Sequence, residues 1–233
     1  MFNFLKKKEK KNEKPKSQNN FYGFYQDELE NYIYEDKLDL SKYDLCLIEY
    51  RNSLKKYCIR KIGTNNERFI ICSGDISKIK CDGVVNAARP SLLGGGGVDG
   101  AIHKMAGPGL LEECKTLDGC EFGGAKITKG HNMYVKNIIH AVGPMYKDGT
   151  KNEPEILKNA YINAMNLAVE HNLKTIALPA ISCGNYGYPT KEGVRIAYDV
   201  TMEYLKNDPE MKIIFVVNNT VFNEFKRIID QEV

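Results

Sequence analysis

Between Arg68 and Asp230 the chain alternates short β-branched runs with stretches of helical periodicity, and few folds accommodate that order. Arg68–Cys72, Asp82–Asn86, Ala125–Lys129, Asn137–Val142, Thr175–Leu178 and Lys212–Val217 have the aliphatic content of buried strands. Val98–Met105, Gly109–Lys115, Glu153–His171, Thr190–Lys206 and Thr220–Asp230 read as helices. In Glu153–His171 the residues Ile156, Leu157, Ala160, Tyr161, Ala164, Leu167 and Ala168 fall on one face. Such alternation predicts an α/β fold: a mostly parallel sheet with helices on both faces. Ligands on such sheets bind at the carboxyl ends of the strands. Gly74-Asp75-Ile76, Asn86–Asp99 and Ser182–Tyr188 are all placed there.

The segments before Arg68 are of another kind. Residues 1–20 are polar and lysine-rich, and predict a disordered tail. Residues 21–59 contain Phe21, Tyr22, Phe24, Tyr25, Tyr32 and Tyr34, too many rings for a tail. They predict a helical extension, with helices over Gln26–Leu38 and Ser41–Tyr57 and Ser41 as an N-cap. Gly63-Thr64-Asn65-Asn66 reads as a turn, and residues 60–233 as the main domain.

Charge and cysteine content narrow the function classes. Residues 1–16 hold seven lysines and two glutamates, a surplus of +5 that exceeds the chain's net +3 and leaves −2 for the rest. The globular part is therefore no basic nucleic-acid binder, and nucleic acid is a conceivable partner only for the tail. Seven cysteines, an odd number with no C-x-x-C pair, read as reduced thiols in the cytoplasm. No apolar run approaches the roughly 20 residues of a membrane span, and the apolar Met1–Leu5 is too short for a secretory leader. Cys114, Cys120 and His103 do not have the spacing of known zinc sites, and neither metal nor cofactor is expected.

The run Gly94-Gly95-Gly96-Gly97, followed by Val98 and Asp99, is entropically costly. It offers bare N–H groups and a helix N-terminus to an anion, which suits a pyrophosphate, and places one carboxylate beside it. The G-x-G-x-x-G pattern within it does not directly follow its strand, as a dinucleotide fold requires. Ala180-Ile181-Ser182-Cys183-Gly184 resembles a nucleophile elbow, but the histidines at 103, 131, 140 and 171 all precede Ser182, against the hydrolase order. That loop, Ser182 to Tyr186, reads instead as further phosphate-binding backbone, with Tyr186 as an aromatic wall and Cys183 as a packing thiol. Asp75 is either a turn acid or an acceptor for an exocyclic amine. Asn86 either forms a turn or orients the glycine loop, and His103 lies at i+4 from Asp99, within reach of it.

Gly74-Asp75-Ile76-Ser77, Val84–Ala88, Leu92–His103, Ala106-Gly107-Pro108, Gly119-Cys120, Gly124–Thr128, Ile138–Pro144 and Pro179–Pro189, in this order and spacing, closely resemble the macrodomain family, and within it the MacroD-type branch. The resemblance covers about residues 60–230. It implies a three-layer α/β/α fold with a central mixed sheet and a cleft for ADP-ribose. It implies that Asp75 binds the adenine amine, Gly74 and Ile76 flank the ring, and Asn218 closes over it. Asn86, Ala88, Gly94, Gly95, Gly96, Gly97 and Val98, with Ser182, Cys183, Gly184, Asn185 and Tyr186, would line the phosphates and distal ribose. Asp99 would position or activate water, with Arg89 and Tyr186 as the other catalytic candidates. The implied reactions are removal of mono-ADP-ribose from acidic side chains of proteins and deacetylation of O-acetyl-ADP-ribose, neither needing a metal. The partners are then ADP-ribose, O-acetyl-ADP-ribose and mono-ADP-ribosylated proteins, and the chain is expected to be a monomer.

One departure stands out. The family pattern N-A-A-N is here Asn86-Ala87-Ala88-Arg89, and arginine is longer, charged and a donor only. Arg89 could grip a phosphate or a substrate carboxylate, block the ribose subsite, or turn to solvent. The resemblance thus leaves two readings, a hydrolase that keeps its acid at Asp99 and a non-hydrolytic reader of ADP-ribose or a related NAD-derived nucleotide.

Overall fold

The computed structural model describes residues 47–51, 56–59 and 68–232. Its eight strands are β1 Leu47–Arg51, β2 Lys56–Ile59, β3 Phe69–Ser73, β4 Gly83–Ala87, β5 Ala125–Lys129, β6 Asn137–Ala141, β7 Thr175–Leu178 and β8 Lys212–Val217. They form one sheet in the order β2-β1-β3-β8-β7-β4-β6-β5. The interior strands from β1 to β6 run parallel, while β2 and β5 are antiparallel edges. Among the described residues five helices cover it: α1 Gly97–Ala106, α2 Pro108–Lys115, α3 Glu153–Glu170, α4 Thr190–Asn207 and α5 Asn219–Glu232. The mixed, mostly parallel sheet between helical layers is the architecture expected from the alternation, with boundaries within two residues over 68–232.

The layers follow from the two-residue period of the strands. Phe69, Ile71, Ile213 and Phe215 face one way, into a core with Leu157 and Tyr161 of α3, Tyr198 of α4 and Phe225 of α5. Ile70, Cys72, Ile214 and Val216 face the other way, against Ile102 of α1 and Leu110 of α2. Val84 and Val85, and Ile138 and Ile139, split between the faces in the same manner. In α3 the expected face is buried at Leu157, Ala160, Tyr161, Ala164 and Ala168, with Met165 added to it. No helix of the described residues is long and apolar enough to cross a membrane.

The helix expected over Ser41–Tyr57 is not what its described residues form. Leu47–Arg51 and Lys56–Ile59 pair antiparallel, with Ile48 opposite Ile59 and Tyr50 opposite Tyr57, and β1 then lies parallel to β3. The open edge of β3 offers this segment backbone partners that a local reading of its side chains does not weigh. The basic tail, the helix expected over Gln26–Leu38 and the turn at Gly63–Asn66 lie outside the described residues.

Because β3, β8, β7, β4 and β6 are parallel, their carboxyl ends lie on one side of the sheet. Gly74–Ile76, Asn218, Pro179–Tyr188, Ala88–Gly96 and Val142–Gly143 follow them in that spatial order and are brought together there.

Candidate active site

These loops enclose one cleft with two ends. The end over β3 and β8 holds about 390 Å³ and is walled by Asp75, Ile76, Ala101, Cys183, Val216 and Asn218 among others. The end over β4 and β6 holds about 230 Å³ between Ala88, Arg89, Asp99, Gly143, Ser182 and Tyr186. Gly97, Val98, Ala180 and Gly184 border both. The narrow middle is therefore the N-terminus of α1 facing the loop after β7. The first N–H groups of a helix have no intrahelical acceptor, so this waist is suited to an anion.

Asp99 sits in the first turn of α1 and is only 3% exposed. Its Oδ1 accepts a hydrogen bond of 2.6 Å from Nδ2 of Asn86, which is itself fully buried at the end of β4. His103, one turn further along α1, brings Nε2 within 3.5 Å of the same oxygen without hydrogen-bond geometry. Oδ2 of Asp99 accepts nothing from the described residues. A carboxylate fixed by one oxygen and buried without a partner at the other has an unused acceptor beside the cleft, with which it can take a proton from, or orient, a bound group.

Behind Asn86 lies His140 of β6, directly opposite it in the strand register. The second N–H of the Asn86 amide points to Nδ1 of His140 across 3.1 Å. Burial pushes the His140 pKa down to about 3, so the ring is neutral. A neutral ring that accepts at Nδ1 carries its proton on Nε2, where Thr128 Oγ1 lies at 3.0 Å. The buried chain Thr128–His140–Asn86–Asp99 thus holds the acid from behind. Neither histidine 140 nor threonine 128 was a site candidate in the sequence, although a histidine in an otherwise apolar strand was a visible signal.

The glycine loop is built around close approaches. A Cβ on Gly100 would stand 2.5 Å from the carbonyl oxygen of Gly95, so the loop can fold onto α1 only over a bare Cα. Gly97 has φ of 60°, in the left-handed region that favours glycine. Gly94 and Gly95 do not border the cleft; Gly94 lies against the His103 ring and Gly95 against Nε of Arg89. Asn86, expected to touch the ligand, is likewise behind the cleft wall. Gly143, which sequence reasoning did not single out as a site residue, has no room for a Cβ beside Ser182 Oγ and Ile181. Ser182 adopts a left-handed φ of 64°, and its hydroxyl is buried without a partner among the described residues.

At the other end Asp75 is exposed and caps the short 3-10 turn Ile76–Lys78. Its Oδ1 accepts from the Ser77 N–H at 3.0 Å and from the Ser77 hydroxyl at 2.7 Å, which leaves Oδ2 for another donor. Asn218 caps α5 by accepting from the Val221 N–H at 3.0 Å. Cys183 is half-buried, and burial pushes its thiol up to about 12, which suits packing and not nucleophilic attack. Tyr186 is half-buried at the Asp99 end; burial raises its hydroxyl pKa, Arg89 opposes the rise and Asp99 adds to it. The grouping of Cys114 with Cys120 and His103 does not occur. Cys114 and His103 converge instead with His140, their ligand atoms within 4.8 Å of one another. There the Cys114 thiol is pushed up to about 11 by burial, then by Glu113 and Asp99, and His140 presents an N–H on that side.

A three-layer α/β/α domain with a bipartite, phosphate-suited cleft at the strand ends is the class of molecule that this geometry defines. The Macro domain family pattern matches residues 85–197. A Macro domain-containing protein of Methanosarcina mazei is 49% identical over 153 residues, covering 66% of this chain and 82% of the relative. An O-acetyl-ADP-ribose deacetylase of Cronobacter turicensis is 44% identical over 154 residues, 64% of this chain and 88% of the relative. The crystal structure of a Trypanosoma brucei macrodomain in complex with ADP-ribose superposes with a TM-score of 0.68 at 28% identity, over 86% of each chain. This chain belongs to the Macro domain family.

Proposed function

We propose that this protein binds ADP-ribose along its two-ended cleft and hydrolyses esters of ADP-ribose. The substrates are proteins carrying mono-ADP-ribose on Glu or Asp, and O-acetyl-ADP-ribose. Adenine occupies the end with Asp75, Ile76 and Asn218; the diphosphate crosses the waist at Gly97, Val98 and Gly184; the distal ribose lies against Tyr186 and Asp99. The observation that carries this reading is Asp99, a buried carboxylate bordering the end over β4 and β6, locked by Asn86 at one oxygen and without a partner at the other. It would hold water against the ester, with the helix N-terminus and a substrate phosphate oxygen stabilising the charge that develops. The deacetylase activity in a relative's name and the ADP-ribose bound by the Trypanosoma brucei domain agree with this assignment.

The test is release of ADP-ribose from an ester-linked acceptor, beside calorimetry with ADP-ribose. Turnover that is lost in Asp99→Asn while ADP-ribose still binds supports the hydrolase. Tight binding without turnover in the parent chain supports the second reading, a reader of ADP-ribose, which Arg89 at the ribose end favours.

A further inference from the structure

Resting on the hydrolase reading above, we propose that Arg89 selects the acceptor: the preferred substrate is a modified acidic side chain with a second carboxylate beside it. Arg89 follows β4 by two residues and is exposed at the rim of the ribose end. Among the described residues its guanidinium makes neither a hydrogen bond nor an ion pair. It is nonetheless placed, because its Nε lies over Gly95, 2.7 Å from where a Cβ would stand. Among the described residues, Arg89 and Asp99 are the only charged side chains bordering this end. Asp99 Oδ2 lies 3.0 Å from the same point over Gly95, close enough to hold the guanidinium on this side of the cleft but not paired with it, and Oδ1 is taken by Asn86.

The division of charge decides what each group can take. A phosphate on the distal ribose itself would be drawn into the Asp99 carboxylate and repelled by it. A carboxylate carried further out, on the polypeptide that leaves the cleft, meets the guanidinium first. A free arginine fork suits a carboxylate in a bidentate pair, and a half-exposed rim is where such a pair is formed without a large desolvation cost. A neutral neighbour on the acceptor leaves the guanidinium with water alone.

The experiment uses the full chain and two mono-ADP-ribosylated peptides, identical except that a Glu next to the modified Glu is Gln in one. The readout is the ratio of kcat/KM between them, which cancels any effect of a variant on the shared chemistry. The parent chain should prefer the acidic peptide roughly threefold to fivefold, the scale of one partly exposed ion pair. Arg89→Gln should bring the ratio to about one, and Arg89→Lys should keep part of it, since a point charge lacks the planar fork. Raising salt from about 50 to about 500 mM should also shrink the ratio. A parent chain without preference, or a preference that survives Arg89→Gln, overturns the proposal. So does ADP-ribose 1″-phosphate binding tighter than ADP-ribose in an Arg89-dependent way, which would assign the cation to a phosphate. If neither peptide is turned over, the hydrolase reading fails by itself; the same ratio, read as Kd, still decides the role of Arg89.

Discussion

Asn86 grips Asp99 from inside the protein: its amide donates to the carboxylate across 2.6 Å, and both residues are buried. In the proposed hydrolysis a carboxylate held in this way would cost little reorganisation as charge develops. Asp99→Asn keeps the shape of the side chain and removes the base. Turnover should fall about 10²- to 10⁴-fold, the usual contribution of a positioned acid–base group. The Kd for ADP-ribose should change far less, as measured by calorimetry on the same preparation.

His140 should act on Asp99 through Asn86. In His140→Asn the shorter amide keeps an acceptor on the Asn86 side, whereas His140→Leu removes it and strands a buried N–H. The leucine variant should lose about 1–3 kcal/mol in urea unfolding, the range for an unsatisfied buried donor. Its kcat should fall further than its ADP-ribose affinity, and the asparagine variant should recover part of both losses. Equal kcat in the two variants would show that the acceptor has no positioning role.

The same histidine sets a pH dependence of stability. Its folded pKa is about 3 against an ordinary 6.5, so the unfolded chain binds this proton first. The stabilisation is complete above pH 6.5 and is lost progressively as pH falls toward 3. Thermal unfolding from pH 7.5 down to about 4 should show a Tm decline that is shallower in His140→Asn.

Asp75 gives one oxygen to the Ser77 cap and leaves the other at the end of the cleft over β3 and β8, where the proposal places adenine. Asp75→Asn keeps the cap acceptor and takes away the charge. It should weaken ADP-ribose by about tenfold, the scale of one hydrogen bond to a charged group. Ribose 5-phosphate, which lacks adenine, should bind both chains alike in a competition titration; a parallel loss would place the effect in the fold and not in base recognition.

Gly100→Ala places a methyl 2.5 Å from the Gly95 carbonyl oxygen, and backbone on both sides cannot turn away as a side chain does. Overpacking of this sort costs typically about 1–3 kcal/mol. ADP-ribose binding should fall with it, because the loop that moves is the one that shapes the waist. Paired calorimetry and denaturant titration check both effects.

Much of this was legible in the residues. The six strands from Phe69 to Val217 announced themselves by aliphatic runs bounded by glycine, proline and acid, and the three loops that meet in the cleft were all placed at strand ends. The glycine run with Asp99 behind it pointed to a stretch whose Gly97 and Asp99 the structure places along the cleft. What stayed hidden is tertiary in origin. The edge strands β1 and β2 exist because β3 offers a partner, which no window over Ser41–Tyr57 contains. Asn86 was readable as a site residue but not as a buried one, since its depth depends on β6 lying beside β4. Gly143 became meaningful only when Ser182, about forty residues later in sequence, was seen to pack on its bare Cα.

The pairing of Asn86 with His140 across β4 and β6 has a consequence for folding as well as chemistry. Side chains alternate faces along a strand, so sliding β4 by one residue would send the amide to the opposite layer and leave Asp99 unheld. The hydrogen-bond ladder of the sheet is therefore the ruler that sets the acid. If the proposed hydrolysis holds, its rate becomes a reporter of strand register, and a compact state with every helix formed but these two strands misaligned should bind poorly and turn over nothing.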